Sequence, residues 1–263
     1  MRKADVMLRT AQDSAAGKMF YCYRDNNLYE SKLLTEAAGL TGVKYPVVSA
    51  VGAGGKTTTL RRLADEYVQS GIPVIVTTTT HMAAGDKPWF LTEPSVEKIE
   101  DMLERYGQVW AGLPSSSGKI KSLPAEMMKE IWNMALPILI EADGSRQLPL
   151  KIPADHEPVI LPETTHVLSV YGLDSIGQKL SEVCFRPERA AVFLKKNISD
   201  RVTAEDIALL AASYRGGRKG CPDSAVYTVV LNKADDEMLV KEAVGICRTL
   251  SDTGIQRIII SGC

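Results

Sequence analysis

Short apolar runs that alternate with helix-forming segments are the feature of this sequence that most limits its fold. Such alternation is typical of parallel strands joined by crossover helices. It predicts an α/β fold with a mostly parallel sheet and helices on both faces. The predicted strands cover residues 47–51, 74–78, 109–112, 138–141, 167–171, 226–231 and 257–260. The predicted helices cover 31–38, a segment after Lys56 that ends at Gly71, 96–106, 124–135, 187–194, 204–214 and 237–250.

Length and composition favour one large domain. The chain has 263 residues, 45% of them hydrophobic, which is enough to bury a substantial core. We assign residues 31–263 to a nucleotide-binding domain and residues 1–30 to an N-terminal extension. The extension is polar and without clear periodicity, so both an ordered extension and a loose tail stay open. Prolines at 149, 153, 158 and 162 predict a structured loop over 142–166.

Charge and cysteine content narrow the expected partners and compartment. The 31 basic and 32 acidic residues give a net charge of −1, too little to attract nucleic acid. The five cysteines are scattered and odd in number, which fits a reduced cytoplasm better than a disulfide scaffold. Charged residues interrupt the N-terminal segment, and no apolar stretch approaches the length of a membrane span. We therefore expect a cytoplasmic protein without a membrane partner.

A glycine-rich segment lies between the first predicted strand of the domain and the helix that follows, and it reads Gly52-Ala53-Gly54-Gly55-Lys56-Thr57-Thr58. Strand, glycine loop and helix in this order are typical of a phosphate-binding loop, or P-loop. Backbone N–H groups can wrap a phosphate only where no side chain blocks them, and the helix N-terminus adds partial positive charge. We predict that residues 52–58 bind a nucleoside triphosphate. Lys56 would contact the β- and γ-phosphates, and the Thr57 hydroxyl would hold magnesium.

The glycine spacing departs from the common P-loop pattern. That pattern has a glycine six residues before the lysine, where this chain has Ala50. The spacing G-x-x-G-K-T-T is instead similar to that of the Mur ligases, which use ATP. The alternative interpretation is a glycine-rich turn with a solvated lysine.

An apolar strand over 138–140 leads into two acidic residues, Glu141 and Asp143. The carboxyl ends of parallel strands line the ligand crevice, so both carboxylates are expected near the glycine loop. Hard carboxylate oxygens suit magnesium, and a second carboxylate can orient an attacking water. We predict that Glu141 and Asp143 serve these catalytic and metal-binding roles. The sequence leaves open which residue does which, and an ordinary strand end with solvated acids is the alternative.

A candidate base-reading segment, Asn232-Lys233-Ala234-Asp235, directly follows the predicted strand over 226–231. N-K-x-D in this position is the guanine-reading pattern of GTPases. A carboxylate at Asp235 can accept hydrogen bonds from both N1–H and the exocyclic amine of guanine, whereas adenine offers no such pair of donors. Asn232 would brace the loop, the Lys233 stem would cover the base, and the main chain at Ser261 would face the guanine oxygen. The segment favours GTP over ATP.

Weaker signals lie in three other segments. The first is the run of threonines over 77–80, where one hydroxyl could contact magnesium or the γ-phosphate; the alternative is that these residues only end a β-branched strand. We expect His81, which follows them, to have a structural role rather than a catalytic one. The segment Asp155-His156-Glu157 is a candidate metal or substrate site, although a solvated polar turn is the simpler interpretation. Arg146 and Arg186 are candidates for stabilising transition-state charge.

With these residues in hand, the chain resembles the YqeC family, described as accessory proteins of selenium-dependent molybdenum hydroxylases. The segments that carry the resemblance are 51–58, 77–82, 141–146, 149–153, 155–158, 172–174, 186–188 and 231–235. The resemblance implies a maturation role, with a molybdenum hydroxylase as client protein. One difference is Phe185, where the family pattern has histidine before the arginine, so no catalytic role carries over to that position.

Three functions follow as hypotheses. The first is a magnesium-dependent GTPase or ATPase that assists assembly of a client enzyme. The second is an ATP-dependent ligase or small-molecule kinase, as the Mur-like spacing suggests. The third is a scaffold that binds nucleotide as a switch without hydrolysing it.

Overall fold

A computed structural model describes residues 19–24, 27–116 and 118–262. Most of the predicted N-terminal extension, and Cys263 beside the predicted base-reading residue Ser261, lie outside the described residues. The strands are β1 (Phe20–Arg24), β2 (Asn27–Ser31), β3 (Val47–Gly52), β4 (Val74–Thr78), β5 (His81–Ala83), β6 (Phe90–Leu91), β7 (Gln108–Ala111), β8 (Leu113–Pro114), β9 (Lys119–Lys121), β10 (Ile138–Glu141), β11 (Leu150–Lys151), β12 (His166–Gly172), β13 (Cys184–Phe185), β14 (Val226–Asn232) and β15 (Ile258–Ser261).

One large sheet organises the described chain. Its ten strands lie in the order β2-β1-β15-β14-β12-β3-β10-β4-β7-β6. Every neighbouring pair from β15 to β6 is parallel. Only β1 pairs antiparallel within this sheet, with β15 on one side and β2 on the other. The predicted mostly parallel α/β sheet is therefore confirmed.

Seven of the described helices fall within or close to predicted segments, whereas the short helix over Leu180–Val183 was not predicted. They are α1 (Leu34–Ala37), α2 (Lys56–Gln69), α3 (Val96–Tyr106), α4 (Ala125–Asn133), α5 (Leu180–Val183), α6 (Pro187–Leu194), α7 (Ala204–Ala212) and α8 (Glu237–Asp252). The predicted Thr203 cap is present, since its hydroxyl accepts from the N–H of Asp206 at the start of α7. Pro124 precedes α4 rather than lying in its first turn, and Ser31 ends a strand instead of starting a helix.

Helices cover both faces of the sheet, because alternate residues of each buried strand point to opposite sides. Val48 and Ala50 of β3 pack on the face covered by α1 and α2, whereas Val47 packs on the opposite face under α3 and α4. Further along that second face, β14 and β15 pack against α7 and α8. Each face thus has its own apolar core, and the ends of the strands lie outside these cores.

Strands β1 and β2 form a hairpin within the predicted extension. Cys22 pairs with Ile259 of β15 on one side and with Tyr29 of β2 on the other. Residues 20–24 and 27–31 therefore belong to the main sheet, a feature that the aperiodic sequence did not predict. The hairpin makes β15 an interior strand.

The remaining strands form two small sheets beside the large one. Strands β5, β9 and β8 form an antiparallel sheet, and β11 pairs with β13. The pairing of β11 with β13 fixes the middle of the 142–166 loop, which is structured as predicted. In the described ranges, no helix has both the length and the apolar character that crossing a membrane requires.

Candidate functional site

The topology brings the predicted site segments to one edge of the sheet. Strands β10, β3, β12, β14 and β15 are consecutive neighbours and run parallel. Their carboxyl ends therefore meet at the same edge. The glycine loop follows β3, the acidic pair lies at the end of β10, and Asn232 and Ser261 end β14 and β15.

Glycine is required at two positions of the loop by its surroundings. Gly54 has φ of +78°, and a Cβ there would lie 2.2 Å from the backbone nitrogen of Gly172. Gly55 has φ of +130°, and a Cβ there would lie 2.2 Å from Asn232 Nδ2. The loop thus packs tightly against the ends of β12 and β14, and its backbone path excludes ordinary side chains.

The first three N–H groups of the glycine loop are used within the protein. They donate from Gly52 to Asp143 Oδ2 at 3.1 Å, from Ala53 to the Val170 carbonyl at 2.9 Å and from Gly54 to the Leu148 carbonyl at 3.1 Å. These bonds fix the loop to the ends of β10 and β12 and to the long loop. The first half of the loop therefore serves as an anchor to the rest of the protein.

The next four N–H groups, of residues 55–58, have no hydrogen-bond acceptor among the described residues. Helix α2 starts at Lys56 without a side-chain cap, and the Thr58 side chain is exposed in its first turn. Uncapped N–H groups at a helix N-terminus form a ready position for an anion. Within the predicted phosphate-binding loop, it is therefore the start of α2 that has N–H groups open to an anion.

The Lys56 side chain lies over the loop and is only 3% exposed. Its ammonium donates to the Gly52 carbonyl at 2.6 Å and lies 3.2 Å from Asp143 Oδ1. A lysine buried at this level needs such partners, since an unpaired buried charge is costly. Lys56 and Asp143 therefore form an ion pair. The sequence predicted only that the two residues lie at the same edge of the sheet.

The other carboxylate of the acidic pair contacts α2. The Thr57 hydroxyl donates to Glu141 Oε2 at 2.6 Å. Burial raises the pKa of Glu141, whereas Lys56 and the Thr57 hydrogen bond act in the opposite direction. Thr57 and Glu141, both predicted magnesium ligands, thus lie in direct contact.

The two oxygens of Asp143 have different environments. Oδ2 accepts from the Gly52 N–H and lies 2.9 Å from the Lys151 ammonium. Oδ1 has no hydrogen-bond donor among the described residues and faces Lys56. One oxygen is therefore held by the protein, and the other is directed towards the loop.

A buried chain of charges continues behind Asp143, and sequence reasoning missed it. The Lys151 ammonium lies 2.9 Å from Glu157 Oε2, and Arg186 donates to both oxygens of Glu157 at 2.8 Å. Although Asp155-His156-Glu157 had been interpreted as a solvated turn, Glu157 is buried and paired on two sides. Asp155 alone fits that interpretation, since it is exposed and pairs with Arg189. Lys151 carried no signal of its own beyond its place in a family segment.

The two candidate transition-state arginines surround Phe185. The guanidinium carbons of Arg146 and Arg186 lie 5.0 and 4.1 Å from the centre of its ring. Arg186 is committed to Glu157, while Arg146 is exposed on the loop that follows Asp143. Within these contacts, neither arginine touches Lys56 or Glu141.

The predicted base-reading segment contacts the glycine loop directly. Asn232 Nδ2 donates to the Gly54 carbonyl, and the Ser261 hydroxyl donates to Asn232 Oδ1, both at 2.8 Å. Lys233 pairs with Asp174 at 2.7 Å. Asp235 is exposed beside the main chain of Gly262. The predicted bracing role of Asn232 therefore corresponds to an observed contact.

The threonines at the end of β4 and just after it mostly form hydrogen bonds to the backbone of neighbouring segments. The hydroxyls of Thr77, Thr78 and Thr79 donate to the carbonyls of residues 111, 141 and 159, at 2.8, 2.7 and 2.7 Å. Of the four threonines over 77–80, Thr80 alone has a buried hydroxyl without a hydrogen-bond partner among the described residues. Thr78 fixes the backbone of Glu141, so this segment supports the acidic strand end.

Replacing Glu157 by glutamine is expected to lower the free energy of unfolding by up to about 3 kcal/mol near neutral pH. Burial alone raises the pKa of Glu157, but hydrogen bonds from Arg186 and Lys151 outweigh this effect and hold the pKa at about 2, below its ordinary value of 4.5. The stabilisation is therefore complete above about pH 4.5 and is lost as the pH falls towards 2. Urea unfolding at several pH values should show the difference from the parent shrinking over that window.

Glu126→Gln is the matched control, because Glu126 pairs with Lys129 on an exposed helix face. It should leave stability unchanged at every pH. Equal stability of Glu157→Gln and the parent near neutral pH would contradict the role assigned to the buried charge chain.

Comparison with known proteins places the chain in a family. The family model described as "YqeC protein" matches residues 48–188, more than half of the 263 residues. The match includes the glycine loop, the acidic strand end and the charge chain, but it ends before Asn232. A protein named "Uncharacterized protein YqeC" from Escherichia coli (strain K12) is 36% identical over 140 residues, covering 51% of this chain and 55% of the relative. The chain thus matches only about half the length of that relative. Since the family model spans more than half of the chain and its complete candidate phosphate site, this protein belongs to the YqeC family.

Proposed function

We propose that this protein is a magnesium-dependent nucleoside triphosphatase of the P-loop type that prefers GTP to ATP. The observation that carries the proposal is the row of open N–H groups at residues 55–58, with the Lys56 ammonium beside it. Two carboxylates, Glu141 and Asp143, contact the same loop from the neighbouring strand. Open amides, a lysine and hard oxygen ligands at one helix start are the parts that phosphoryl transfer needs.

The triphosphate is bound at the start of α2. The four N–H groups surround the β-phosphate, and Lys56 turns from the Gly52 carbonyl to the β- and γ-oxygens. The helix N-terminus adds favourable charge without any side-chain cap to displace. Binding therefore requires movement of one side chain and little movement of the loop.

The residues present fit magnesium that arrives with the nucleotide. In the described part of the chain, no group of three or more His, Cys, Asp or Glu side chains is arranged to hold a metal ion. Magnesium in such sites commonly uses one or two protein oxygens and completes its shell with phosphates and water. Thr57, Glu141 and Asp143 supply those oxygens, and the ion when bound neutralises charge on the phosphates. Asp143 Oδ1, which no donor holds, also orients the attacking water.

The base is read by the segment after β14. The contact between Asn232 and Gly54 joins the base-reading loop to the phosphate loop, so the two recognise one nucleotide together. Asp235 accepts from N1–H and the exocyclic amine of guanine, and the main chain at Ser261 faces the guanine oxygen. This arrangement favours GTP.

The test is a comparison of GTP and ATP binding to the purified protein with and without magnesium. We expect both nucleotides to raise the unfolding temperature in magnesium, with the larger shift for GTP. Slow release of phosphate from GTP should accompany binding. Absence of any shift with all nucleoside triphosphates would rule out the proposed function.

Asp235→Asn is expected to weaken GTP binding by about a hundredfold while leaving ATP binding unchanged. The amide cannot accept both guanine donors, but it can donate to the extra carbonyl of xanthine. The variant should therefore gain affinity for xanthosine triphosphate. Calorimetric titration with the three nucleotides measures the change, and unaltered GTP binding would show that Asp235 does not read the base.

The glycine spacing favours a second candidate, an ATP-dependent ligase or small-molecule kinase. Under this alternative, ATP binds more tightly than GTP and Asp235→Ala has no effect on either. The nucleotide comparison separates the two candidates directly.

The biological role is proposed from the family resemblance alone. The protein would act in the cytoplasm as an accessory factor in maturation of a selenium-dependent molybdenum hydroxylase. Phosphate release measured with and without the purified client tests this role. Nucleotide binding with no phosphate release, even with the client, would instead indicate a nucleotide-switched scaffold.

A further inference from the structure

Two buried lysines approach one carboxylate behind the glycine loop. Lys56 and Lys151 lie 3.2 and 2.9 Å from different oxygens of Asp143, and each lysine is only 3% exposed. Lys151 also pairs with Glu157, so the two lysines hold Asp143 from different surroundings.

The two ammonium groups differ in how completely the protein satisfies them. An ammonium has three N–H donors. The Lys151 ammonium donates to the Gly144 carbonyl at 2.7 Å and to Glu157 Oε2 at 2.9 Å, and it also lies 2.9 Å from Asp143 Oδ2. Among the described residues, the Lys56 ammonium donates only to the Gly52 carbonyl and lies 3.2 Å from Asp143 Oδ1. Lys151 is thus fixed in place, and Lys56 has a donor to spare and is the one that can move.

Phosphate binding changes this balance under the proposed function, on which the inference rests. When Lys56 turns to the phosphate oxygens, Asp143 Oδ1 becomes available to magnesium and the attacking water, and Asp143 loses one of its two lysine partners. A magnesium ligand that is no longer held from behind can turn away, and a loss of its orientation would weaken the binding of magnesium and nucleotide. The fixed Lys151 prevents this loss, since it stays on Oδ2 throughout.

We infer that Lys151 is a positioning residue, which holds Asp143 oriented through Oδ2 while Lys56 leaves to bind the phosphate. Glu157 and Arg186 hold Lys151 in turn, with Glu157 as the bridge between the two cations. Lys151 itself does not touch the nucleotide. Its contribution to nucleotide binding is therefore indirect and acts through Asp143.

The test uses Lys151→Met, Asp143→Asn and the double variant in the full chain. Without nucleotide, Lys56 still pairs with Asp143, so Lys151→Met should remain folded. With magnesium and GTP, calorimetric titration should show binding weakened by about tenfold or more. In the Asp143→Asn variant there is no carboxylate for Lys151 to hold, so adding Lys151→Met should cause no further loss of GTP affinity. The non-additive result distinguishes this role from a general structural one.

Lys129→Met is the matched control, because Lys129 pairs with Glu126 on an exposed surface. It should bind GTP as the parent does. Three outcomes overturn the inference: Lys151→Met binds GTP normally, it loses the same factor with and without Asp143, or it fails to fold without nucleotide. If the parent itself binds no nucleotide, the proposed function fails together with the inference, whereas normal binding by the parent and Lys151→Met removes the inference alone.

Discussion

Lys56→Ala is expected to weaken binding of GTP and ATP by about a hundredfold or more and to abolish phosphate release. The variant removes the cation that would contact the β- and γ-phosphates, but it leaves the open N–H groups of residues 55–58 in place. The fold should survive, because Asp143 keeps its contacts with Lys151 and with the Gly52 N–H. Calorimetric titration gives the affinity, and thermal unfolding without nucleotide reports on the fold.

Lys129→Ala serves as its control, since that lysine lies on the surface far along the sequence from the loop. It should alter neither nucleotide affinity nor unfolding temperature. A Lys56→Ala variant that binds triphosphates as tightly as the parent would show that the anion position at α2 is not a nucleotide site.

Gly54→Ala is expected to have the largest effect on stability, about 3 kcal/mol or more in the free energy of unfolding. The added Cβ would meet backbone atoms of Gly172 at 2.2 and 2.5 Å, and those atoms cannot rotate away as a side chain can. The positive φ adds further strain. Urea unfolding measures the loss, and nucleotide affinity should fall as the loop is displaced.

Gly71→Ala isolates the backbone contribution. Gly71 has φ of +71°, close to the +78° of Gly54, but a Cβ there meets no atom within 4 Å. Its cost should be only about 1 kcal/mol. Equal losses at the two positions would mean that packing against Gly172 does not constrain the loop.

Local patterns explain why so much of the architecture could be predicted from sequence. Each parallel strand is a continuous apolar run, and each crossover helix carries its own periodicity and end signals, such as the cap at Thr203. The rule that parallel strand ends meet at one edge then placed Glu141 and Asp143 beside Lys56. The topology thus predicted that these three side chains lie close together, but it did not predict their distances or their hydrogen bonds.

The parts that could not be predicted depend on long-range contacts or on weak local patterns. Lys151 ends a two-residue strand, Glu157 lies in a loop and Arg186 precedes a helix, and in none of these places does a period show which side chains point inwards. The link from Asn232 to Gly54 joins residues 178 positions apart. The hairpin over 20–31 is short and mixes polar with aromatic residues, so its strands have no regular alternation. All of these residues find their contacts in other segments of the chain, so the contacts exist only in the folded chain.

That hairpin has a consequence for how the molecule avoids self-association. An outermost strand presents a row of main-chain amides and carbonyls to which a foreign strand can bind, and Ile258, Ile259 and Ile260 make β15 attractive to one. Strand β1 occupies those groups from Phe20 to Tyr23, while the opposite border ends in the two-residue strand β6. Strand β1 therefore covers β15, and the border of the sheet passes to β2, whose residues alternate little and offer a foreign strand a less apolar surface than the three isoleucines do.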